Sequence, residues 1–293
     1  MTETFGQRVR AALRRRGPLC AGIDPHPGLL DDWGLTQDAA GAREFGLRVV
    51  DAAAGRVAFA KPQVSFFERF GSAGSAALED VMRAAREAGL LVIADAKRGD
   101  IGSTMDAYAA AWLTPGSPLE ADALTVSPYL GVGALDGALD LALAHGKGLF
   151  VLAATSNPEA EPLQRAVGAG GATVAAGVIA EVSRRSAART EPGEWASAGF
   201  VIGATVDWAR AGIAPFAPLA PILAPGFGFQ GARPGDLVDL YGPMAPAVIA
   251  SESRSILSAG PGRIADVIAE RALLYPAAGD APAGRDAQEP QDV

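Results

Sequence analysis

The sequence is poor in lysine, cysteine and histidine, and each shortage excludes something. Only three of its 25 basic residues are lysines, Lys61, Lys97 and Lys147; the other 22 are arginines. Arginine serves most surface roles of lysine, so the few lysines left are candidates for chemistry that a guanidinium does not perform. A single cysteine, Cys20, forbids an intramolecular disulfide, and an oxidising compartment offers the chain no benefit. Two histidines, His26 and His145, are too few ligands for a His/Cys zinc site. No apolar run reaches the ~18 residues of a membrane span. Met1–Gly17 carries Arg8, Arg10, Arg14, Arg15 and Arg16 where a signal peptide needs an unbroken apolar stretch. Acidic residues outnumber basic ones by 33 to 25, a net charge of −8. That balance argues against general nucleic-acid binding and against adhesion to anionic membranes. The expectation is a soluble, cytoplasmic protein.

What is present is a large apolar share, 49% of 293 residues, enough for a sizeable core. It falls in short runs: Leu19–Ile23, Val57–Ala60, Leu90–Ala94, Ala123–Val126, Leu149–Ala153, Phe200–Ile202, Pro221–Leu223 and Ala247–Ala250. Each is apolar on both faces, as a buried parallel strand is. Helical spacing fills most of the gaps. Phe5, Val9 and Leu13 precede the first run. Leu78, Val81 and Met82 share a face within Ser75–Ala88, with Gly89 as the stop. Leu135, Leu139 and Leu143, then Val174, Val178 and Val182, and finally Ile264, Val267 and Ile268 continue the pattern. Eight strand–helix units predict a single-domain (β/α)8 barrel over residues 1–275. An open doubly wound sheet is the rival, weakened because no Gly-x-Gly-x-x-Gly follows the first run. Asn157–Ala198 is long for one connection and predicts an extra loop and helix. Residues 276–293, rich in Pro, Gly, Ala and Asp, read as a disordered tail.

A barrel carries its chemistry at the C-terminal ends of its strands. The polar residues following each run are therefore the candidates. They are Asp24, Lys61, the cluster Asp95-Ala96-Lys97-Arg98-Gly99-Asp100, Ser127, Thr155-Ser156-Asn157, the loop from Pro225 to Gly231, and Arg254. Strand alternation sends Asp95 and Lys97 to the same face. Carboxylates beside a lysine keep its ammonium charged, which makes it a proton donor rather than a neutral nucleophile. A lone Asp-x-Lys is more often a solvated salt-bridge turn; Lys61 at the neighbouring strand end favours chemistry.

The run Asp95-Ala96-Lys97-Arg98-Gly99-Asp100-Ile101 with Thr104 resembles the signature of the orotidine 5′-phosphate decarboxylase family. Asp24-Pro25, Lys61, Ser156-Asn157-Pro158, Pro225-Gly226 with Gln230-Gly231, and Arg254 follow in that family's order. The resemblance spans Leu19 to Ser255 and is closest to the longer bacterial branch. It implies decarboxylation of orotidine 5′-monophosphate to uridine 5′-monophosphate, the last step of UMP biosynthesis, without metal or organic cofactor. It implies that Lys97 stabilises and protonates the C6 carbanion and that Asp95 lies beside the leaving carboxylate. Lys61 and Asp100 would complete a Lys-Asp-Lys-Asp array. It further implies a homodimer in which Asp100 and Thr104 reach the partner's site.

Asp24 resembles a ribose-binding residue and reads equally as a turn-starting Asp before Pro25. Ser156 resembles the reader of the pyrimidine edge, though a Ser-Asn-Pro turn needs no function. Ser127 is a further candidate for the base pocket. Gly226, Gln230, Gly231 and Arg254 form the phosphate end, since barrels often bind phosphate after strands seven and eight. The remaining special residues read blandly. His26 reads as a loop residue, His145 as a helix end, the tryptophans as packing and Lys147 as a solvated turn charge.

Three alternatives stay open. A related magnesium-dependent phosphosugar decarboxylase or aldolase would need acidic residues where Lys61 stands. A Schiff-base aldolase would need a neutral lysine. A non-catalytic phosphate-binding barrel would lack members of the array.

Overall fold

A computed structural model describes residues 3–275. Eight parallel strands close into a barrel in sequence order. They are β1 (Leu19–Ile23), β2 (Phe59–Pro62), β3 (Leu91–Arg98), β4 (Ala123–Val126), β5 (Gly148–Ala154), β6 (Ala198–Ile202), β7 (Ile222–Pro225) and β8 (Val248–Glu252). Closure is made by β1 on β8, with Leu19 opposite Ala250 and Ala21 opposite Glu252, which excludes the open doubly wound sheet. The segment 276–293 lies outside the described residues. No helix among the described residues is long and apolar enough to cross a membrane.

Strand parity sorts the core into two layers. Cys20, Phe59, Ile93, Ala123, Phe150, Val201, Leu223 and Ile249, one from each strand, pack together inside the barrel. Residues of opposite parity, such as Ala21, Val92, Leu124 and Ala250, join the helices in an outer layer. The helix Phe5–Arg16 plugs the N-terminal end, its Phe5 ring edge-on to Phe150 at 6.0 Å between centroids. Gly148 is required there, because a Cβ would lie 2.1 Å from the Phe5 ring. Fully burying side chains of this size contributes roughly 1.5–3 kcal/mol each.

Two readings are corrected. Lys147 is not a solvated turn charge: its side chain is 7% exposed and pairs with Glu120 at 2.7 Å and Asp122 at 3.8 Å. Asp122 also accepts from Arg8 at 2.6 Å and from the Val92 N–H at 2.8 Å. Lys147 thus belongs to a buried ion network that ties the plug helix to the strands, assembled from segments far apart in sequence. The helix Val174–Ala187 turns Ala175, Ile179, Val182 and Ser186 inward, whereas Val174 is 38% exposed. Of the three valines, Val182 is buried and Val178 packs against the core, so the departure is at Val174 on the first turn.

The long connection after β5 does hold extra structure, a short helix Glu161–Gln164 before Val174–Ala187. Trp33, Trp112 and Trp195 are buried packing residues, and Trp33 donates to the Leu257 carbonyl at 3.0 Å.

Candidate active site

The C-terminal mouth of the barrel holds a cavity of about 280 Å³. Inward-facing residues beyond the apolar layer form its walls. Leu152, Val201 and Leu223 make an apolar floor, and Asp24, Lys61, Asp95 and Lys97 bring charge to one side.

Asp95 is the hub of that side. Its Oδ2 accepts from Lys61 Nζ at 3.0 Å, and its Oδ1 accepts from Lys97 Nζ at 2.5 Å. The Thr125 hydroxyl lies 3.1 Å from the same Oδ1. The Lys61 and Asp95 side chains are 8% and 11% exposed, whereas Lys97 is 47% exposed and is the member that reaches into the cavity. Burial alone raises the Asp95 pKa, but the ammonium groups of Lys61 and Lys97 outweigh it and lower it from 3.8 to about 2. Burial likewise works to lower Lys61, and Asp95 and Asp24 reverse this and raise it. Asp95 and Lys61 are therefore both held charged. Burial pushes the Cys20 thiol, beneath Lys61, up to about 12, so it is inert as a nucleophile.

A depressed folded pKa gives stability that is fully present above the ordinary value of 3.8 and is lost as pH falls through about 2. The stability difference between wild type and Asp95→Asn should therefore be widest above pH ~4 and narrow toward pH ~2. Urea unfolding at a series of pH values reads it, and a constant difference would contradict the assignment.

The shared orientation of Asp95 and Lys97 does not come from plain alternation. Ala94 pairs with Leu124 and Arg98 with Val126, so a step of 98 − 94 = 4 on β3 faces a step of 126 − 124 = 2 on β4. Within this irregularity Lys97 has φ 48°, and it is the one non-glycine residue with positive φ among those described. That conformation costs about 1–2 kcal/mol for a residue with a Cβ. Strain of this kind collects at functional sites.

The opposite wall is built by the turns after β7 and β8. Gly226, Phe229, Gln230, Ser253 and Arg254 line it. The Arg254 guanidinium stacks over the Phe229 ring at 3.7 Å from its centroid. Gly228 has φ 71°, and a Cβ there would meet Ser255 Oγ at 2.6 Å, so this loop lies directly on the turn after β8. Beneath that turn the fully buried Glu252 carboxylate accepts from Arg271 at 2.7 and 3.0 Å, from the Tyr275 hydroxyl at 2.6 Å and from Ser255. The C-terminal helix is thereby anchored to the loop wall. Asp24 Oδ1 and Ser253 Oγ are buried without a hydrogen-bond partner, and both residues line the cavity.

Of the residues singled out from sequence, the cavity gathers Asp24, Lys61, Asp95, Lys97, Gly226, Gln230 and Arg254. Ser156 lines an adjacent cavity of about 250 Å³, which shares Thr155 with the first. Asp100, Thr104, Ser127 and Gly231 are not among the lining residues. Asp100 accepts from the Ile101 N–H at 2.8 Å, and Thr104 is exposed on the first turn of the helix Gly102–Leu113. His26 lines the mouth, its ring 4.1 Å from Phe66; burial chiefly lowers its pKa, which keeps it neutral near pH 7. Sequence reasoning missed Thr125, Ser253 and Gln63. Thr125 left a usable signal, a lone polar residue of inward parity in an apolar strand.

A closed (β/α)8 barrel with alternating lysine and aspartate at one side of its mouth and a glycine-rich, arginine-bearing turn at the other defines a barrel enzyme for an anionic, phosphate-bearing substrate. The Orotidine 5′-phosphate decarboxylase / HUMPS family matches residues 17–263. Orotidine 5′-phosphate decarboxylase of Salinispora arenicola is 54% identical over 270 residues, covering 92% of this chain and 94% of that protein. Its namesake in Streptomyces coelicolor is 51% identical over 260 residues, covering 88% and 91%. A crystal structure from Streptomyces avermitilis superimposes with a TM-score of 0.88 at 48% identity, covering 94% of this chain and 96% of that one. Leishmania donovani OMP decarboxylase gives a TM-score of 0.69 at 30% identity, covering 92% and 97%. The chain belongs to the orotidine 5′-phosphate decarboxylase / HUMPS family.

Proposed function

We propose that this chain is a carboxy-lyase that converts orotidine 5′-monophosphate to uridine 5′-monophosphate and CO2, completing UMP biosynthesis. The observation that carries the reading is the hydrogen-bonded Lys61–Asp95–Lys97 array facing the glycine-rich, Arg254-bearing turn across one cavity.

The bond from C6 to the carboxylate breaks, its electron pair stays on C6, and CO2 departs. No adjacent π system accepts that pair, so the protein must stabilise it electrostatically with groups already in place. Lys97 lies beside the developing charge and transfers an Nζ proton to C6; solvent then restores the ammonium. Asp95 holds Lys97 and borders the leaving carboxylate, while Lys61 keeps Asp95 ionised. Asp24 receives a ribose hydroxyl, Ser156 and Ser127 border the base, and Gly226, Gln230, Gly231 and Arg254 take the phosphate. No metal or organic cofactor enters this scheme. The Lys61 ammonium fills the strand-end position where a magnesium-dependent relative would need an anionic ligand. The one buried cysteine suits a reducing cytoplasm.

We read the active unit as a homodimer. Asp100 and Thr104 do not line their own chain's cavity, and the segments that follow β3 and β4 expose the apolar side chains Ile101, Tyr108, Tyr129 and Leu130. A second copy covering these side chains would bring Asp100 and Thr104 into the neighbour's site. Mixing inactive Lys97→Ala with inactive Asp100→Ala subunits should then restore about a quarter of wild-type activity. Half of the dimers are mixed at random exchange, and each carries one intact site of two. Absence of recovery, with subunit exchange shown by mass spectrometry, would assign each site to one chain.

The direct test is turnover of orotidine 5′-monophosphate, followed by absorbance with excess chelator, with Lys97→Ala as control. Activity that vanishes with chelator and returns with magnesium would favour the phosphosugar side of the family.

A further inference from the structure

The mechanism above assigns no task to Thr125, a fully buried hydroxyl in the otherwise apolar β4. Its Oγ1 accepts from the Lys97 N–H at 2.9 Å. It lies 3.1 Å from Asp95 Oδ1 and 3.4 Å from the Ala94 carbonyl. A threonine hydroxyl has one proton to give. The nearer and charged acceptor, Asp95, takes it. One side chain thus grips both the main chain of Lys97 and the carboxylate that holds the Lys97 ammonium. This occurs where the β3–β4 ladder is interrupted between Ala94 and Arg98, so regular strand pairing does not supply a backbone partner for Lys97. It is also where Lys97 carries its left-handed φ of 48°.

We propose that Thr125 is the positioning residue of the proton donor: it locks the left-handed backbone of Lys97 and the orientation of Asp95, so that the Lys97 ammonium is aimed into the cavity before substrate arrives. This rests on the decarboxylase reading. A valine at 125 would keep the shape and lose both hydrogen bonds; a serine would keep both bonds and lose a methyl. In a preorganised site a displacement of about 1 Å costs on the order of 10²-fold in rate. Substrate binding depends on other walls of the cavity, so affinity should be spared.

The experiment compares wild type, Thr125→Val and Thr125→Ser for kcat and KM with orotidine 5′-monophosphate, Kd for uridine 5′-monophosphate, and Tm. The expected result is a kcat about 10²-fold lower in Thr125→Val, with KM and Kd within a factor of about three and kcat largely recovered in Thr125→Ser. An unchanged kcat in Thr125→Val overturns the proposal. So does an equal loss in both variants, or a loss in which KM, Kd and Tm fail together, since those mark a structural role only. A crystal structure of Thr125→Val gives a readout that needs no activity: Lys97 should leave its positive φ and its ammonium should leave Asp95. A Lys97 that stays in place overturns the proposal, whereas failure of wild type to consume orotidine 5′-monophosphate falls on the decarboxylase reading.

Discussion

Replacing Lys97 with alanine should lower kcat by at least about 10⁴-fold, because it removes charge stabilisation and the acid together. Lost singly in other sites, the acid contributes on the order of 10²–10⁴ and one charge-stabilising donor on the order of 10²–10³. Folding should survive. Asp95 keeps Lys61 at 3.0 Å and the Thr125 hydroxyl at 3.1 Å, so its charge is not left unpaired. Lys97 is also the half-exposed member of the array, with little packing to lose. Lys97→Arg is the sharper control. It restores positive charge but holds its protons too tightly to give one to carbon. Its kcat should remain far below wild type while uridine 5′-monophosphate still binds. Initial rates on protein purified free of host enzyme measure both variants. Appreciable turnover by Lys97→Ala would move the donor to another group.

The second large effect is expected at Arg254. Its guanidinium is held against Phe229 at 3.7 Å, at the mouth and on the wall opposite Lys97. Arg254→Ala should lower kcat/KM by about 10³-fold, since a bidentate grip on a dianion is lost. Part of that loss should appear in kcat, because binding energy at a remote group can drive closure and desolvation at the reacting carbon. The same logic applies to a truncated substrate lacking its phosphate. Added phosphite dianion should partly restore its turnover by wild type and act far more weakly on Arg254→Ala. An unaltered kcat/KM in Arg254→Ala would sink the phosphate assignment.

How much was legible in the sequence follows from what ends a strand. β1 and β4 run over the residues that their apolar stretches mark, Leu19–Ile23 and Ala123–Val126. β2 and β3 run past their apolar stretches, to Pro62 and Arg98, and so contain Lys61, Asp95 and Lys97. Apolar patterning stops a strand at its first charge. Here the charges neutralise one another inside the barrel mouth and the strand continues through them. The same occurs at β8, where Glu252 is buried because Arg271, in the helix Ile264–Ala272, and Tyr275, just after it, close over its carboxylate. Lys147 was misread for a related reason. Its neighbours in sequence are glycines, while its ion partners Glu120 and Asp122 come from a distant segment. The motif made Asp95 and Lys97 visible as a pair, but the bulge and the left-handed Lys97 that aim them depend on β4 and left no local trace. Asp100 and Thr104 are legible only through the family's pattern, because their proposed partners belong to a second chain.

The central claim is a decarboxylation completed by a proton from Lys97, with no metal. It is tested most directly by incubating the wild-type protein with orotidine 5′-monophosphate in D2O with excess chelator, following products by NMR. The account predicts stoichiometric CO2 and uridine 5′-monophosphate bearing deuterium at C6, with none formed by Lys97→Ala. Unchanged orotidine 5′-monophosphate, or turnover that requires added magnesium, would contradict it.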